Sequence, residues 1–355
     1  MTFKIAVIGC GWVSMDCHGP AYARYAETHP GVELTACCDL DAQRASQFAG
    51  RFGFLRSYTH YQEMLQAEKP QAVCLNVPPE AISSIGCAIL EQGYPLLCEK
   101  PPGTCVEQVD ALITAAHQSG AAHQVAFNRR FMPLVVELKK QLAGLPVQAV
   151  EIVLARYRRL EPDFTTTAVH AIDLARFLLD CDFRELSFRY SVYEVSGQPV
   201  TNYLLEGVLF SGATARISIY PATGLNVERV TIYCADQTFW LACSNGLDAP
   251  GWLRRYQENR LVAELDGAQL AGSGGTEHRF DGGCGRPKSG LTGRSSESYL
   301  LNGFYAEDAA FFDAVQAGIQ PRDDLRSARQ SVAIMQALRE RQTQYQENTK
   351  EGSNA

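Results

Sequence analysis

A chain of 355 residues with a formal net charge of −7 and 46% hydrophobic residues is long enough for two domains, each with its own core. The acidic balance argues against nucleic acid or an anionic membrane surface as a partner, and no apolar run reaches the length of a membrane span. The start, Met1-Thr2-Phe3-Lys4, runs into a core-type strand without a signal-peptide pattern. The 12 cysteines show neither Cys-x-x-Cys nor zinc-type spacing, so the expectation is a cytoplasmic protein with reduced thiols, no disulfide and no metal.

Phe3 to Ile8 reads as a short apolar strand. It ends in Gly9-Cys10-Gly11-Trp12-Val13-Ser14, after which Pro20 to Tyr25 has a helical pattern. This is G-x-G-x-x-S between strand and helix, the context a dinucleotide-binding loop needs. Gly9 permits the tight turn, Gly11 lets the backbone approach a pyrophosphate, and Ser14 is small enough for the helix to pack on the strand. The helix N-terminus behind the loop supplies amide donors and partial positive charge. Val32 to Cys38 is a second strand, and Asp39 at its tip is placed to accept hydrogen bonds from the adenosine ribose. The same carboxylate would repel a 2′-phosphate, which favours NAD, with NADP as the alternative. Asp39 or Asp41 can also cap the helix expected from Ala42 to Phe52.

Further strand–helix units follow: Tyr61 to Ala67 helical, Ala72 to Val77 a strand ending in Asn76-Val77-Pro78-Pro79, and Ala81 to Gln92 helical. Tyr94 to Cys98 is a strand, Val106 to Ser119 a helix and Ala121 to Phe127 a strand. Strands alternating with helices of about a dozen residues predict a doubly wound parallel sheet, a Rossmann domain over residues 1–125. The apolar strand ending at Cys98 opens into Glu99-Lys100-Pro101-Pro102, so Lys100 stands at the carboxyl end of a strand, where open α/β sheets place their ligand crevice. Candidate cofactor-binding residues are Gly9, Gly11, Trp12, Val13, Asp39, Asn76, Pro78, Glu99 and Lys100.

The pattern then changes. After Asn128-Arg129-Arg130-Phe131-Met132-Pro133 and a helix to about Leu142, the segments Val147 to Tyr157, Glu185 to Glu194, Asn202 to Phe210, Ala213 to Tyr220, Val227 to Ala235 and Thr238 to Ala242 are β-branched or alternating. Short turns such as Ser211-Gly212 join several of them, which predicts a large open, mainly antiparallel sheet in a C-terminal α/β domain over residues 126–345. Between the first two of these strands, Thr167 to Leu179 is helical and carries His170, with Asp173 one turn on. Gly267 to Ser298, rich in glycine and serine and carrying Arg279, Arg286, Lys288 and Arg294, reads as a mobile loop. Phe304 to Ala317 and Leu325 to Arg341 return to helix, and residues 346–355 read as a disordered tail.

The Gly9 loop, Glu99-Lys100-Pro101, Phe127-Asn128-Arg129-Arg130-Phe131 and His170-Ala171-Ile172-Asp173, in that order, resemble the glucose–fructose oxidoreductase/inositol dehydrogenase (Gfo/Idh/MocA) family, most closely its bacterial, virulence-factor-like members. The resemblance implies a hydride transfer between NAD or NADP and a sugar- or cyclitol-like hydroxyl or ketone. It also implies a homodimer or homotetramer built on the open sheet, and a cis Lys100-Pro101 bond. The family lysine maps onto Lys100, a general acid/base, and its histidine onto His170, with Asp173 placed to orient the imidazole. Arg129, Tyr157 and Asp173 are candidate substrate residues. Two departures stand out: Thr166 replaces the family's aspartate one turn before the histidine, and Glu80-Ala81-Ile82 follows Pro78-Pro79 where the family has a histidine. Thr166 cannot ionise near neutrality, which leaves a non-catalytic dinucleotide-binding sensor as the alternative reading.

Overall fold

The computed structural model describes residues 2–244, 249–272 and 298–347. Arg279, Arg286, Lys288, Arg294 and the tail from Asn348 lie outside the described residues. The first domain runs β1 (Phe3–Ile8), a π-helical turn over Ser14–His18, α1 (Gly19–Thr28), β2 (Val32–Cys38), α2 (Ala42–Phe52), β3 (Arg56–Tyr58), α3 (Tyr61–Glu68), β4 (Ala72–Leu75), α4 (Pro79–Glu91), β5 (Leu96–Glu99), α5 (Val106–Ser119) and β6 (His123–Ala126). Its strands are all parallel, in the order β3-β2-β1-β4-β5-β6. The order reverses between β1 and β4, so the carboxyl ends of these two strands flank the crevice such sheets use for ligands. Asp41, not Asp39, caps α2, accepting from the amides of Gln43 and Arg44, and Gly53 closes that helix in the left-handed conformation. β3, three residues with mostly exposed side chains, has no apolar pattern to reveal it.

A 3-10 turn over Asn128–Phe131 leads into α6 (Pro133–Leu142), β7 (Val147–Tyr157), α7 (Thr165–Leu179), β8 (Phe183–Val195), β9 (Gln198–Leu209), β10 (Thr214–Thr223), β11 (Val227–Cys234), β12 (Gln237–Ala242), β13 (Trp252–Gln257), β14 (Arg260–Asp266) and α8 (Gly267–Leu270). After the undescribed stretch come α9 (Ser298–Leu301), α10 (Phe304–Ala317), α11 (Leu325–Arg339) and β15 (Gln344–Gln346). The second sheet has nine strands in the order β14-β13-β12-β11-β7-β10-β9-β8-β15, antiparallel except for the parallel pair β7 and β10. This confirms the α/β fold of a Rossmann sheet with a mainly antiparallel open sheet. The expected loop from Gly267 begins as a helix capped by Asp266, and Gln346 belongs to a strand paired with β8 where a disordered tail was expected.

The helices nearest the C-terminus cross back to the first domain. Phe311 and Phe312 of α10 are buried with Tyr22, Tyr25 and Phe3, while Leu325, Ala328, Val332 and Met335 of α11 lie in one cluster with Val109, Leu112 and Val125. A boundary near residue 125 therefore divides the sheets but not the cores. Tyr22, Tyr25, Phe311 and Phe312 are among the largest fully buried side chains of the protein, and burying an apolar side chain of this size contributes about 1.5–3 kcal/mol of transfer free energy. The two sheets are held by the same packing that finishes the Rossmann layer.

Candidate active site

The glycine loop is braced from inside. Gly9 has φ +93°, and a Cβ there would stand 2.2 Å from the carbonyl oxygen of Asn76, so only glycine fits this turn. Ser14 Oγ donates to Gly9 O at 2.6 Å and accepts from Asn76 Nδ2 at 3.1 Å, and Asn76 Nδ2 also donates to Tyr22 Oη at 3.2 Å. The third fingerprint residue is thus a buried hydroxyl that ties the ends of β1 and β4 together. Asn76, expected at the cofactor, has its amide nitrogen engaged in bracing the loop. Around Gly11 a Cβ would meet nothing within 4 Å, and Trp12 is exposed. That open approach to the main chain is what a pyrophosphate requires. At the tip of β2, Asp39 accepts from Cys10 N at 2.8 Å and from Asp41 N at 3.0 Å, with Arg44 Nη1 at 3.3 Å. These residues suit a dinucleotide: an open glycine loop, a carboxylate one strand over, and Val13 and Pro78 on the flanking segments.

Lys100 follows β5, and its bond to Pro101 is cis. Its amide donates to Glu99 Oε2 and its Nζ to Thr166 O at 3.3 Å, so position 166 faces the lysine through its main chain. Burial pushes the ammonium below its ordinary value, and Arg129, Arg159 and Arg156 push the same way against Glu99. The lysine is therefore shifted toward the neutral form that can accept a proton.

Behind Lys100 lies a group that sequence reasoning missed. His18 is fully buried, with Nε2 3.0 Å from Glu99 Oε1 and Nδ1 3.0 Å from Asp308 Oδ1. Burial alone would discharge this imidazole, but Asp308 and Glu99 outweigh it and hold its proton well above the ordinary histidine range. Glu307 beside it is also fully buried, neither of its oxygens has a hydrogen-bond partner, and burial raises its carboxyl well above the usual range. His18, Glu307 and Asp308 offer ligand atoms within 4.8 Å of one another, the group among the described residues that could hold a metal ion. An ion there would have to replace the His18–Asp308 hydrogen bond. The available signal was an acidic pair on the apolar face of α10, between Phe304 and Phe311.

His170 is buried on α7, one turn beyond Thr166. The expected partnership with Asp173 is not formed. Both Asp173 oxygens are taken by Arg130, at 2.8 and 2.6 Å, and one also by Ser331, which makes Asp173 an interior ion-pair residue. Arg130 extends the tie to Asp323 at 2.7 Å. His170 Nε2 instead meets Arg129 Nη1 at 3.2 Å. Arg129 in turn is held by Glu228, at 3.1 and 3.2 Å, and by Asn128 Oδ1, so its guanidinium is engaged with the protein. Glu228 also accepts from Arg156 at 2.7 Å, and the two arginines overcome burial to hold it well below the usual carboxylate range. Burial, then Arg129, Lys100 and Arg156, lower the His170 pKa well below the ordinary value. Arg156 and Glu228 were legible in principle: each lies in phase with the apolar residues of its strand, Ile152 and Leu154 in β7, Val230 and Ile232 in β11. Tyr157 is half-buried at the end of β7, its amide bonded to Asn226 Oδ1.

The first domain matches a known family. The model of the oxidoreductase family with an NAD-binding Rossmann fold, Gfo/Idh/MocA, covers residues 3–127. Residues 3–127 are thus similar to the NAD-binding Rossmann domain of that family. Inositol 2-dehydrogenase of Salmonella typhimurium is 26% identical over 194 residues, 52% of this chain and 56% of that protein. The matched stretch thus spans little more than half of that curated relative. An oxidoreductase domain protein from Kribbella flavida has the same fold, with a TM-score of 0.77 at 20% identity over 98% of this chain and 99% of that one. Levoglucosan dehydrogenase in complex with NADH superposes with a TM-score of 0.76 at 18% identity over 98% and 99%. No helix among the described residues is long and apolar enough to cross a membrane.

Proposed function

We propose that this chain is an NAD-dependent dehydrogenase or reductase acting on a CH–OH group of a sugar- or cyclitol-like small molecule, with Lys100 as general acid/base. The observation that carries the reading is the placement of Lys100: at the carboxyl end of β5, two strands from the Gly9 loop, partly desolvated and shifted toward neutrality. Gly11 and its neighbours would hold the pyrophosphate and Asp39 the adenosine ribose; when bound, the dinucleotide supplies or accepts the hydride. Lys100 Nζ takes the proton of the substrate hydroxyl in oxidation and returns one to the oxygen in reduction. Glu99, fixed by His18, holds the Lys100 main chain. The relatives support the substrate class, since one acts on inositol and another carries levoglucosan in its name. The nine-stranded sheet supplies the face on which a homodimer or homotetramer would form.

The test is a titration with NADH and NADPH followed by nicotinamide fluorescence, then a panel of sugars, cyclitols and keto-sugars with the wild type and Lys100→Ala. NADH binds more tightly than NADPH, at least one panel member turns over, and Lys100→Ala loses about 10²–10⁴-fold in turnover while NADH still binds. Binding of NADH without turnover across the panel would favour the sensor reading, for which Thr166 speaks.

A further inference from the structure

One carboxyl group of the buried cluster behind Lys100 has nothing to pair with. Glu307 is fully buried in the first turn of α10, and neither of its carboxyl oxygens has a hydrogen-bond partner. An unpaired buried carboxyl costs free energy in either state: ionised it lacks a counter-charge, and protonated it lacks an acceptor for its O–H. The cation that acts on it is His18, and both nitrogens of that ring are already engaged, Nε2 by Glu99 and Nδ1 by Asp308. Lys100 acts on Glu99 from beyond ion-pair distance. Among the described residues no lysine or arginine forms an ion pair with Glu99, Glu307 or Asp308, so three carboxyl groups surround one imidazole.

The spacing of these groups is that of a ligand set. His18 Nδ1 stands 3.0 and 3.1 Å from the two oxygens of Asp308, and two ligands of one ion, each about 2.1 Å from it, are about 3.0–3.4 Å apart. Ligand atoms of His18, Glu307 and Asp308 all lie within 4.8 Å of one another, so the set closes by a small shift of side chains alone. On the far side of the ring Glu99 Oε1 holds Nε2 at 3.0 Å, the carboxylate–histidine arrangement that orients a metal-ligating imidazole. His18 is also the last residue of the π-helical turn, an irregularity that recurs at functional sites. We infer that His18 Nδ1, Asp308 and Glu307 bind one divalent transition-metal ion, with Glu99 as the outer partner of the imidazole. The ion takes the place of the Nδ1 proton and gives Glu307 the partner it lacks. One imidazole and two carboxylates without a thiolate suit manganese. Cysteine spacing predicts no metal, and this set escapes such a reading because it uses no cysteine and His18 and Asp308 are 290 residues apart. The inference needs neither dinucleotide nor substrate and stands apart from the proposed function.

The experiment uses the full chain, stripped with EDTA and dialysed, then titrated with MnCl₂ while the EPR signal of free Mn²⁺ is followed. Manganese is the probe because thiolates compete for it weakly. One ion binds per chain, the melting temperature rises with Mn²⁺ concentration, and pulsed EPR of the bound ion shows coupling to an imidazole nitrogen. Glu307→Gln keeps the shape and removes one ligand charge. It weakens Mn²⁺ binding by at least the roughly tenfold that even an outer partner of a metal site contributes. Without metal, Glu307→Gln melts no lower than the wild type, because a neutral amide replaces a carboxyl that has no partner. A wild type that binds no ion at one per chain overturns the inference. Binding without nitrogen coupling, or Glu307→Gln binding as tightly as the wild type, also overturns it, by assigning the ion to exposed carboxylates. Should Glu307→Gln fail to fold, the stoichiometry and the nitrogen coupling of the wild type decide.

Discussion

The Lys100 ammonium and the Asp39 carboxylate sit in opposite environments. Lys100 is shifted by burial toward neutrality, so oxidation should gain rate as pH rises through a Lys100 pKa lying below the ordinary 10.5. Asp39 stays at the rim, with one oxygen on the Cys10 amide and the other between the Asp41 amide and Arg44. A ribose hydroxyl there would donate to the carboxylate. Asp39→Ala should weaken NADH about tenfold and NADPH less, as read by paired fluorescence titrations. An unchanged preference between the two nucleotides would remove Asp39 from the ribose site. Both residues were legible in the sequence because each follows a short apolar strand at a fixed offset. Asp173 was misread for a related reason: spacing on a helix shows that two side chains can meet, but it does not show that Arg130 competes for one of them.

At the scale of elements, the π-helical turn after the glycine loop and the first turn of α10 meet in a buried ionic cluster. Its imidazole lies between Glu99 and Asp308, with Glu307 adjacent. Removing one partner of a buried pair costs about 3–5 kcal/mol, because the remaining charge is left uncompensated. His18→Gln should therefore destabilise the fold by an amount of that order, measured by urea unfolding. The sign of the pH effect is also set. His18 has a folded pKa well above its unfolded 6.5, so the folded state binds more protons between the two values. The stabilisation is complete below about pH 6.5 and declines as pH rises through the folded pKa. The wild-type stability should fall over that alkaline range and His18→Gln should show a flatter profile. His170 has the opposite sign, since its depressed pKa weakens the fold as pH drops below 6.5. Equal slopes in wild type and His18→Gln would show that His18 is not the proton-binding group.

Across the whole molecule, the nine-stranded sheet has one face under α6, α7 and α11 and another that carries Val153, Tyr220, Tyr233 and Trp240, each more than a third exposed. Val153 lies on β7 at the middle of the sheet, and Arg229 and Ser218 flank it on the adjacent strands. A pairing of two such faces burying about 1,200–2,000 Å² would make a stable dimer. Val153→Lys should convert a dimer into a monomer in analytical ultracentrifugation while changing the monomer's stability by no more than about 0.5 kcal/mol. A monomeric wild type would remove this face from the assembly.

The sequence alone determined the Rossmann topology, the glycine loop, the position of Lys100 and the strand-rich second half, because each is encoded by local periodicity, turn chemistry or a short fixed spacing. It did not determine that α10 and α11 complete the first domain's core, because an amphipathic helix carries no label for the sheet it covers. It did not reveal the exposed, short strands β3 and β15, which lack an apolar stripe. Nor could it assign partners among several arginines and carboxylates. That Arg130 takes Asp173, Glu228 takes Arg129 and Arg156, and His170 meets Arg129 was decided only when strands and helices far apart in the chain met, because buried charges choose the nearest opposite charge in space and not in sequence.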